Sequence, residues 1–272
     1  MKTAVITGGN SGMGKATAQL LALKGYRIII HGRNEQKTNE ALNEIKSFSG
    51  NNNIEAVCGD LSSIAGMKKI IAAIQFKTDV VDVLVLSTGV ILPKRLETED
   101  GMEMHFAVQY LCRFAIVQGL MPQLQKSSFA RIVQVGAFVS SSAKIYFDDF
   151  SLKNNYGMFR AMGQGMLGNH LFVQEFAKRI ANDKIVMNIM HVGIANTEAA
   201  RSQNFLIRFL LKIVGKNSLI SAKNIIYLAD NDEATFSGFF LNEPGRPKKK
   251  IHIELDSSVA EKLWNKSMGL IS

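Results

Sequence analysis

Short runs of aliphatic and β-branched residues recur along the chain at Ala4–Thr7, Arg27–His31, Ile54–Gly59, Val81–Ser87, Arg131–Val135, Ile185–His191 and Gly238–Leu241. Each has the length of a buried strand, and stretches with helical period, such as Ala16–Lys24, lie between them. Strands that alternate with helices predict parallel βαβ units, whose helices cover both faces of one sheet. The expected fold is therefore α/β, a doubly wound parallel sheet in a single domain spanning 1–272. Ligands of such a sheet bind beyond the carboxyl ends of its strands, so the chemistry is sought just after each run.

One segment breaks the alternation. After the sixth run, the stretch Asn204-Phe205-Leu206-Ile207-Arg208-Phe209-Leu210-Leu211-Lys212-Ile213-Val214 is an apolar helix with two spaced cations. It is too short to span a bilayer. We read the segment around 197–216 as a lid over an apolar substrate pocket, with attachment to a membrane surface as the alternative.

Composition narrows the class. A chain of 272 residues, 47% hydrophobic and 20% charged, can bury one large core. The N-terminus runs straight into a strand, with no signal-peptide pattern and no membrane span, and the cytoplasm is the expected location. The net charge of +9 comes from scattered residues apart from Arg246-Pro247-Lys248-Lys249-Lys250. That run is read as a solvated surface, so no nucleic-acid partner is expected, although positive charge also attracts anionic ligands. The two cysteines, Cys58 and Cys112, lack metal-ligand spacing and are read as buried free thiols.

The first strand ends in Thr7-Gly8-Gly9-Asn10-Ser11-Gly12-Met13-Gly14-Lys15, directly before the first helix. Glycine lets backbone approach a pyrophosphate, and the helix N-terminus offers free N–H groups and a positive dipole to an anion. The strand–loop–helix context makes Gly8, Asn10, Ser11, Gly12, Met13 and Gly14 a candidate nucleotide cradle of the Rossmann type.

The segment TGGNSGMG resembles the TGxxxGxG fingerprint of the short-chain dehydrogenase/reductase family, and the longer TGGNSGMGKATA is similar to its retinol-dehydrogenase-like branch. The resemblance implies an oxidoreductase scaffold, a nicotinamide cofactor and a homodimer or homotetramer paired through the helices carrying Gln109 and Met166. After the second strand, Arg33 and Asn34 stand where an acidic residue would select NAD; Arg33 instead suits the 2′-phosphate of NADP(H), with a surface arginine as the alternative. Asp60 and Leu61 match the family's Asp-Leu pair beside the adenine, although Asp60 could equally cap the next helix. In Leu86-Ser87-Thr88-Gly89 only Gly89 survives from the family's Asn-Asn-Ala-Gly. Gly193 and Thr197 match a segment that approaches the nicotinamide, with Val192 in place of a proline.

The family's catalytic set does not follow. Its tyrosine exchanges a proton with the substrate, its lysine lowers the tyrosine pKa, its serine holds the carbonyl, and its asparagine supports a water relay. The continuation from Gly168 to Arg179 anchors the register, which puts Met162 at the tyrosine, Met166 at the lysine, Ala137 at the serine and Gln109 at the asparagine. Methionine cannot exchange a proton at neutral pH. A second register, with Tyr156, Arg160 and Ser140-Ser141-Ser142, resembles haloalcohol dehalogenases, which lack the glycine loop seen here. His105, His170 and His191 are possible acid–base groups, read as packed or surface histidines.

These readings lead to a protein that binds NADP(H) and guides a non-redox change in an apolar small-molecule substrate, such as cyclisation, isomerisation or elimination. A non-catalytic NADP(H)-binding regulator and an atypical NADPH-dependent reductase remain open.

Overall fold

Near-continuous burial along most strands shows that the sheet is covered on both faces. The computed structural model describes residues 1–180, 184–191, 218–242, 244, 247–248 and 255–272. Its strands are β1 (Thr3–Thr7), β2 (Arg27–Gly32), β3 (Ile54–Cys58), β4 (Val83–Leu86), β5 (Ala130–Gly136), β6 (Ile185–His191), β7 (Phe240–Leu241) and β8 (Pro247–Lys248). The helices are α1 (Gly12–Leu23), α2 (Glu35–Ser49), α3 (Ile64–Lys77), α4 (Cys112–Gly119), α5 (Met121–Gln125), α6 (Met158–Arg179), α7 (Ser218–Asp230) and α8 (Ser257–Ile271), and a π-helical turn, Phe106–Leu111, leads into α4.

The sheet runs β3-β2-β1-β4-β5-β6-β7 in parallel, with β8 antiparallel on the β7 edge. Side chains on one strand point alternately to opposite faces. Thus Val5, Ile29, Leu84 and Ile132 pack under α3, α4 and α6, while Ile6, Ile28, Ile30 and Val85 pack under α1, α2 and α7. The seven expected strands are present. β8 was not expected, because its two residues fall inside the basic run read as surface.

Strand order reverses between β1 and β4, and that switch point opens the crevice where a doubly wound sheet receives ligands. Val192, Gly193, Thr197 and the expected lid around 197–216 lie outside the described residues. On the α6 side, α8 packs across α4 and α6: Trp264 meets Phe114 at 5.1 Å and Phe172 at 5.7 Å between ring centroids, and the hydroxyls of Tyr110 and Ser267 stand 2.7 Å apart. The outer face of the helix pair expected to join two subunits is therefore covered by the chain's own C-terminal helix. Cys112 is buried as expected, whereas Cys58 is partly exposed at the end of β3.

Candidate functional site

Beyond the carboxyl ends of β1, β2, β4 and β5 lies a cleft of about 620 Å³. Its floor begins at the glycine-rich loop. Gly8 adopts φ +66° and Gly12 φ +50°, which L side chains rarely tolerate. At Gly14 a Cβ would stand only 2.2 Å from the carbonyl oxygen of Gly8. Gly14 does not itself line the cleft; it lets α1 press against the loop. Ser11 gives α1 no side-chain cap and the first turn carries no acid, and Ser11, Gly12 and Met13 at this helix N-terminus line the cleft.

His31 braces this loop, a role the sequence reading did not assign. Its Nε2 lies 3.0 Å from the Gly59 carbonyl oxygen, an acceptor, so Nε2 carries the proton and Nδ1 accepts the Gly8 N–H at 3.4 Å. Burial pulls the His31 pKa below its ordinary value, in keeping with the neutral ring this bonding needs. Asn10 ties the loop to α2 through Thr38, with Nδ2 3.2 Å from Oγ1.

At the outer end, Arg33, Asn34, Asp60 and Leu61 line the cleft, joined by Lys37. Asn34 has a structural task as well, because its side chain accepts the Lys37 N–H and caps α2. Asp60 similarly accepts the Ser62 N–H, while its second oxygen stands 4.0 Å from the exposed Arg33 guanidinium. Lys37 stands in the first turn of α2, four residues after Arg33 and three after the N-cap Asn34.

At the inner end, the four positions singled out as departures from the catalytic set come together: Gln109, Ala137, Met162 and Met166 all border the cleft that the glycine loop opens. Gln109 donates to the Val90 carbonyl at 2.6 Å. Both methionines are partly exposed, and Met166 also packs against the core. Gly89 leaves open space where a Cβ would lie.

Arg113, Asn169 and His170 also line the cleft. Asn169 donates to the carbonyls of Gln109 and Gly165. His170 is buried, in keeping with the packed reading, and it also borders the cleft. Burial lowers its pKa to about 4, which leaves a neutral ring at neutral pH. Arg113 shares a helix face with Gln109 at i+4, the signal that could have identified it.

The dehalogenase-like register does not assemble. Tyr156 lies ahead of α6 and donates to the Leu92 carbonyl, Arg160 is occupied by Asn155 and the Tyr146 ring, and Ser140 and Ser142 bond to each other. None of these lines the cleft. His105 is sealed against Glu103 with Nδ1 2.7 Å from Oε1, and His191 packs on Phe138.

A doubly wound sheet with a Gly-rich turn at its switch point, an uncapped helix N-terminus and cations at the ribose end has the features of a dinucleotide-binding protein, and the residues present fit a nicotinamide dinucleotide. The family model for short chain dehydrogenases matches residues 2–205, and the chain belongs to that family. It is 30% identical over 287 residues to retinol dehydrogenase 14 of Mus musculus, covering 99% of this chain and 86% of that one. It is 29% identical over 280 residues to retinol dehydrogenase 13 of Homo sapiens (99% and 84% covered) and 27% over 278 residues to human polyprenol dehydrogenase (98% and 84% covered). Among solved structures, the Pseudomonas aeruginosa RhlG/NADP active-site complex superposes with a TM-score of 0.72 at 22% identity, over 90% of this chain and 95% of that one. Salutaridine reductase from Papaver somniferum gives 0.68 at 19% identity, over 88% and 99%. These structural likenesses establish the fold.

The relatives correct one expectation. The cytoplasmic location rested on the lack of an apolar span and of a signal pattern, but the matched proteins are named for retinol and polyprenol, isoprenoid alcohols that partition into membranes. Among the described residues no helix is long and apolar enough to cross a membrane.

Proposed function

We propose that this chain binds NADP(H) and, at the inner end of the same cleft, an apolar isoprenoid-like ligand whose transformation does not use the family's tyrosine–lysine proton exchange. One observation carries the reading: Met162, Met166 and Ala137 line the cleft reached from the glycine loop, and among the described residues that line it there is no tyrosine. Among the described lining residues the single lysine is Lys37, which belongs to the outer end with Arg33.

A bound nicotinamide supplies a hydride or accepts one. In this chain Gly8, Gly12 and the first turn of α1 would hold the phosphates, Arg33 and Lys37 would meet a 2′-phosphate, and His31 would keep the loop in place. Met162 and Met166 offer soft, adaptable apolar contacts to a ligand and keep water from it. Positioned acid–base groups contribute about 10²–10⁴-fold in rate, and without them carbonyl reduction by the usual route would be slow by a similar factor. A reaction driven by shape, such as a cyclisation or isomerisation, loses nothing from that absence.

The names of the relatives support a second reading, an NADPH-dependent reductase or dehydrogenase that works without the usual proton donor. One pair of measurements separates the two. Saturable fluorescence binding of NADPH, weaker for NADH, is expected first; incubation with all-trans-retinal should then give no oxidation of NADPH. Substrate-dependent oxidation would establish the second reading, and no dinucleotide binding would overturn both. The triple variant Ala137→Ser, Met162→Tyr, Met166→Lys should gain reductase activity on simple carbonyls.

A further inference from the structure

Arg113 lies on α4, with its guanidinium bonded to the end of β5 and to the loop that leaves β4. It is only 6% exposed, yet it borders the cleft. Its Nη2 donates to the Thr88 carbonyl at 2.7 Å, and its Nη1 donates to the Val135 carbonyl at 2.8 Å and, more loosely, to Gln134 Oε1 at 3.5 Å. These partners are all neutral. Nε–H is buried without a partner, as is the hydroxyl of Thr88 beside it. None of the ion pairs among the described residues includes Arg113.

A cation in this position is costly. Removing a charge from water carries a penalty of several kcal/mol unless a counter-charge and a full set of hydrogen bonds compensate it. Burial lowers the guanidinium pKa to about 10, which leaves it charged at neutral pH. Because the group borders a cleft instead of lying sealed within the core, a ligand can bring the missing negative charge. Nε–H is the guanidinium donor left without a partner, and a planar guanidinium is suited to the two oxygens of a carboxylate.

We propose that the inner end of the cleft is an anion subsite, in which Arg113 receives the carboxylate of an apolar acid whose hydrocarbon part lies along Met162 and Met166. The proposal rests on the reading that this end of the cleft takes an apolar ligand beside the dinucleotide. The ligand class thus narrows from isoprenoid-like molecules to those that carry an acid. Thr88 Oγ would supply a further donor to the same group. A neutral alcohol of identical skeleton would leave Nε unpaired and the charge uncompensated.

The test compares all-trans-retinoic acid with all-trans-retinol, one skeleton with two head groups, by isothermal titration of the full chain at pH 7.5 with NADPH at saturation. The acid should bind at least tenfold tighter. Arg113→Met, which removes the charge and keeps the apolar stem, should abolish that preference while changing NADPH affinity less than twofold. Arg113→Lys, which keeps the charge and loses the fork, should retain only part of the preference, and it serves if the methionine variant fails to fold. Equal affinity of the wild type for acid and alcohol, or binding of neither while NADPH still binds, overturns the subsite and leaves the dinucleotide reading standing. A tenfold loss of NADPH affinity in Arg113→Met, with the acid preference unchanged, assigns the charge to the dinucleotide and also overturns it. Failure of NADPH to bind the wild type would overturn the underlying reading instead.

Discussion

His170 Nε2 stands 3.1 Å from the carbonyl oxygen of Ala137, which borders the same cleft. A carbonyl oxygen can only accept, so the ring proton is on Nε2 and Nδ1 keeps its lone pair, buried and without a partner. The ring also packs 5.1 Å from Phe240 between centroids. This histidine therefore links α6, the loop after β5 and β7 at the inner end of the cleft, and the fold needs it neutral.

That need sets a pH dependence. The pKa is lowered by burial from 6.5 to about 4. The unfolded chain then takes up the proton first as pH falls, so the stability is fully present above about 6.5 and is lost down to about 4, by roughly 3 kcal/mol in all. His31 and His191 shift in the same direction. Thermal melts from pH 7.5 to 4 should show falling stability, and His170→Leu should make that slope shallower; superimposable profiles would count against this assignment.

Gly14 tests the cradle. The Cβ of Gly14→Ala would meet Gly8 backbone, which cannot swing aside as a flexible side chain can. Overpacking of this kind costs about 1–3 kcal/mol. We expect a melting temperature lower by several degrees and NADPH affinity reduced at least tenfold, both readable in one fluorescence and melting series. A variant with unchanged NADPH affinity would remove the loop from the site.

Cofactor choice should follow Arg33 and Lys37. A charge-assisted bond to phosphate contributes about 1.5–3 kcal/mol, or roughly tenfold to a hundredfold in affinity. Arg33→Ala combined with Lys37→Ala should bring the dissociation constant for NADPH to that for NADH, with NADH binding little altered. Competition titrations that leave the preference intact would place the selecting group elsewhere.

The C-terminal helix makes a separate prediction. Ser267→Ala leaves the Tyr110 hydroxyl buried without its partner, at a cost of about 1–3 kcal/mol. Tyr110→Phe in the same chain removes both groups and should recover much of that loss, which a double-mutant cycle in urea would measure. Two chains paired through α4 and α6 would have to displace α8, so light scattering should find the mass of a single chain; a stable dimer would require another face or a moved α8.

The arrangement of elements was legible in the sequence because burial on both faces of a parallel sheet leaves nearly continuous apolar runs. Ile28-Ile29-Ile30 and Val83-Leu84-Val85-Leu86 carry that signature, and the spacing of turns between runs indicates the helices. The Gly8–Gly14 loop was legible for a related reason: backbone that must turn with positive φ, or press against other backbone, accepts only glycine. Asn34 and Asp60 were harder, because an N-cap and a ligand contact ask for the same side chains, and the structure gives both residues a cap-like bond.

By itself, then, the sequence determined the layer order, the nucleotide loop and the register that brings Gln109, Ala137, Met162 and Met166 to one cleft. The first two follow from local period and from steric exclusion at glycine, and the register is what the resemblance to the family implies. Only the tertiary structure decided that His31 braces the loop, that His170 and the unpaired Arg113 border the cleft, and that α8 covers the α4–α6 face. Those facts depend on which groups from distant segments share a low-dielectric space. The cost of a buried charge or an unmade hydrogen bond is set by that surrounding, which no single stretch of residues contains.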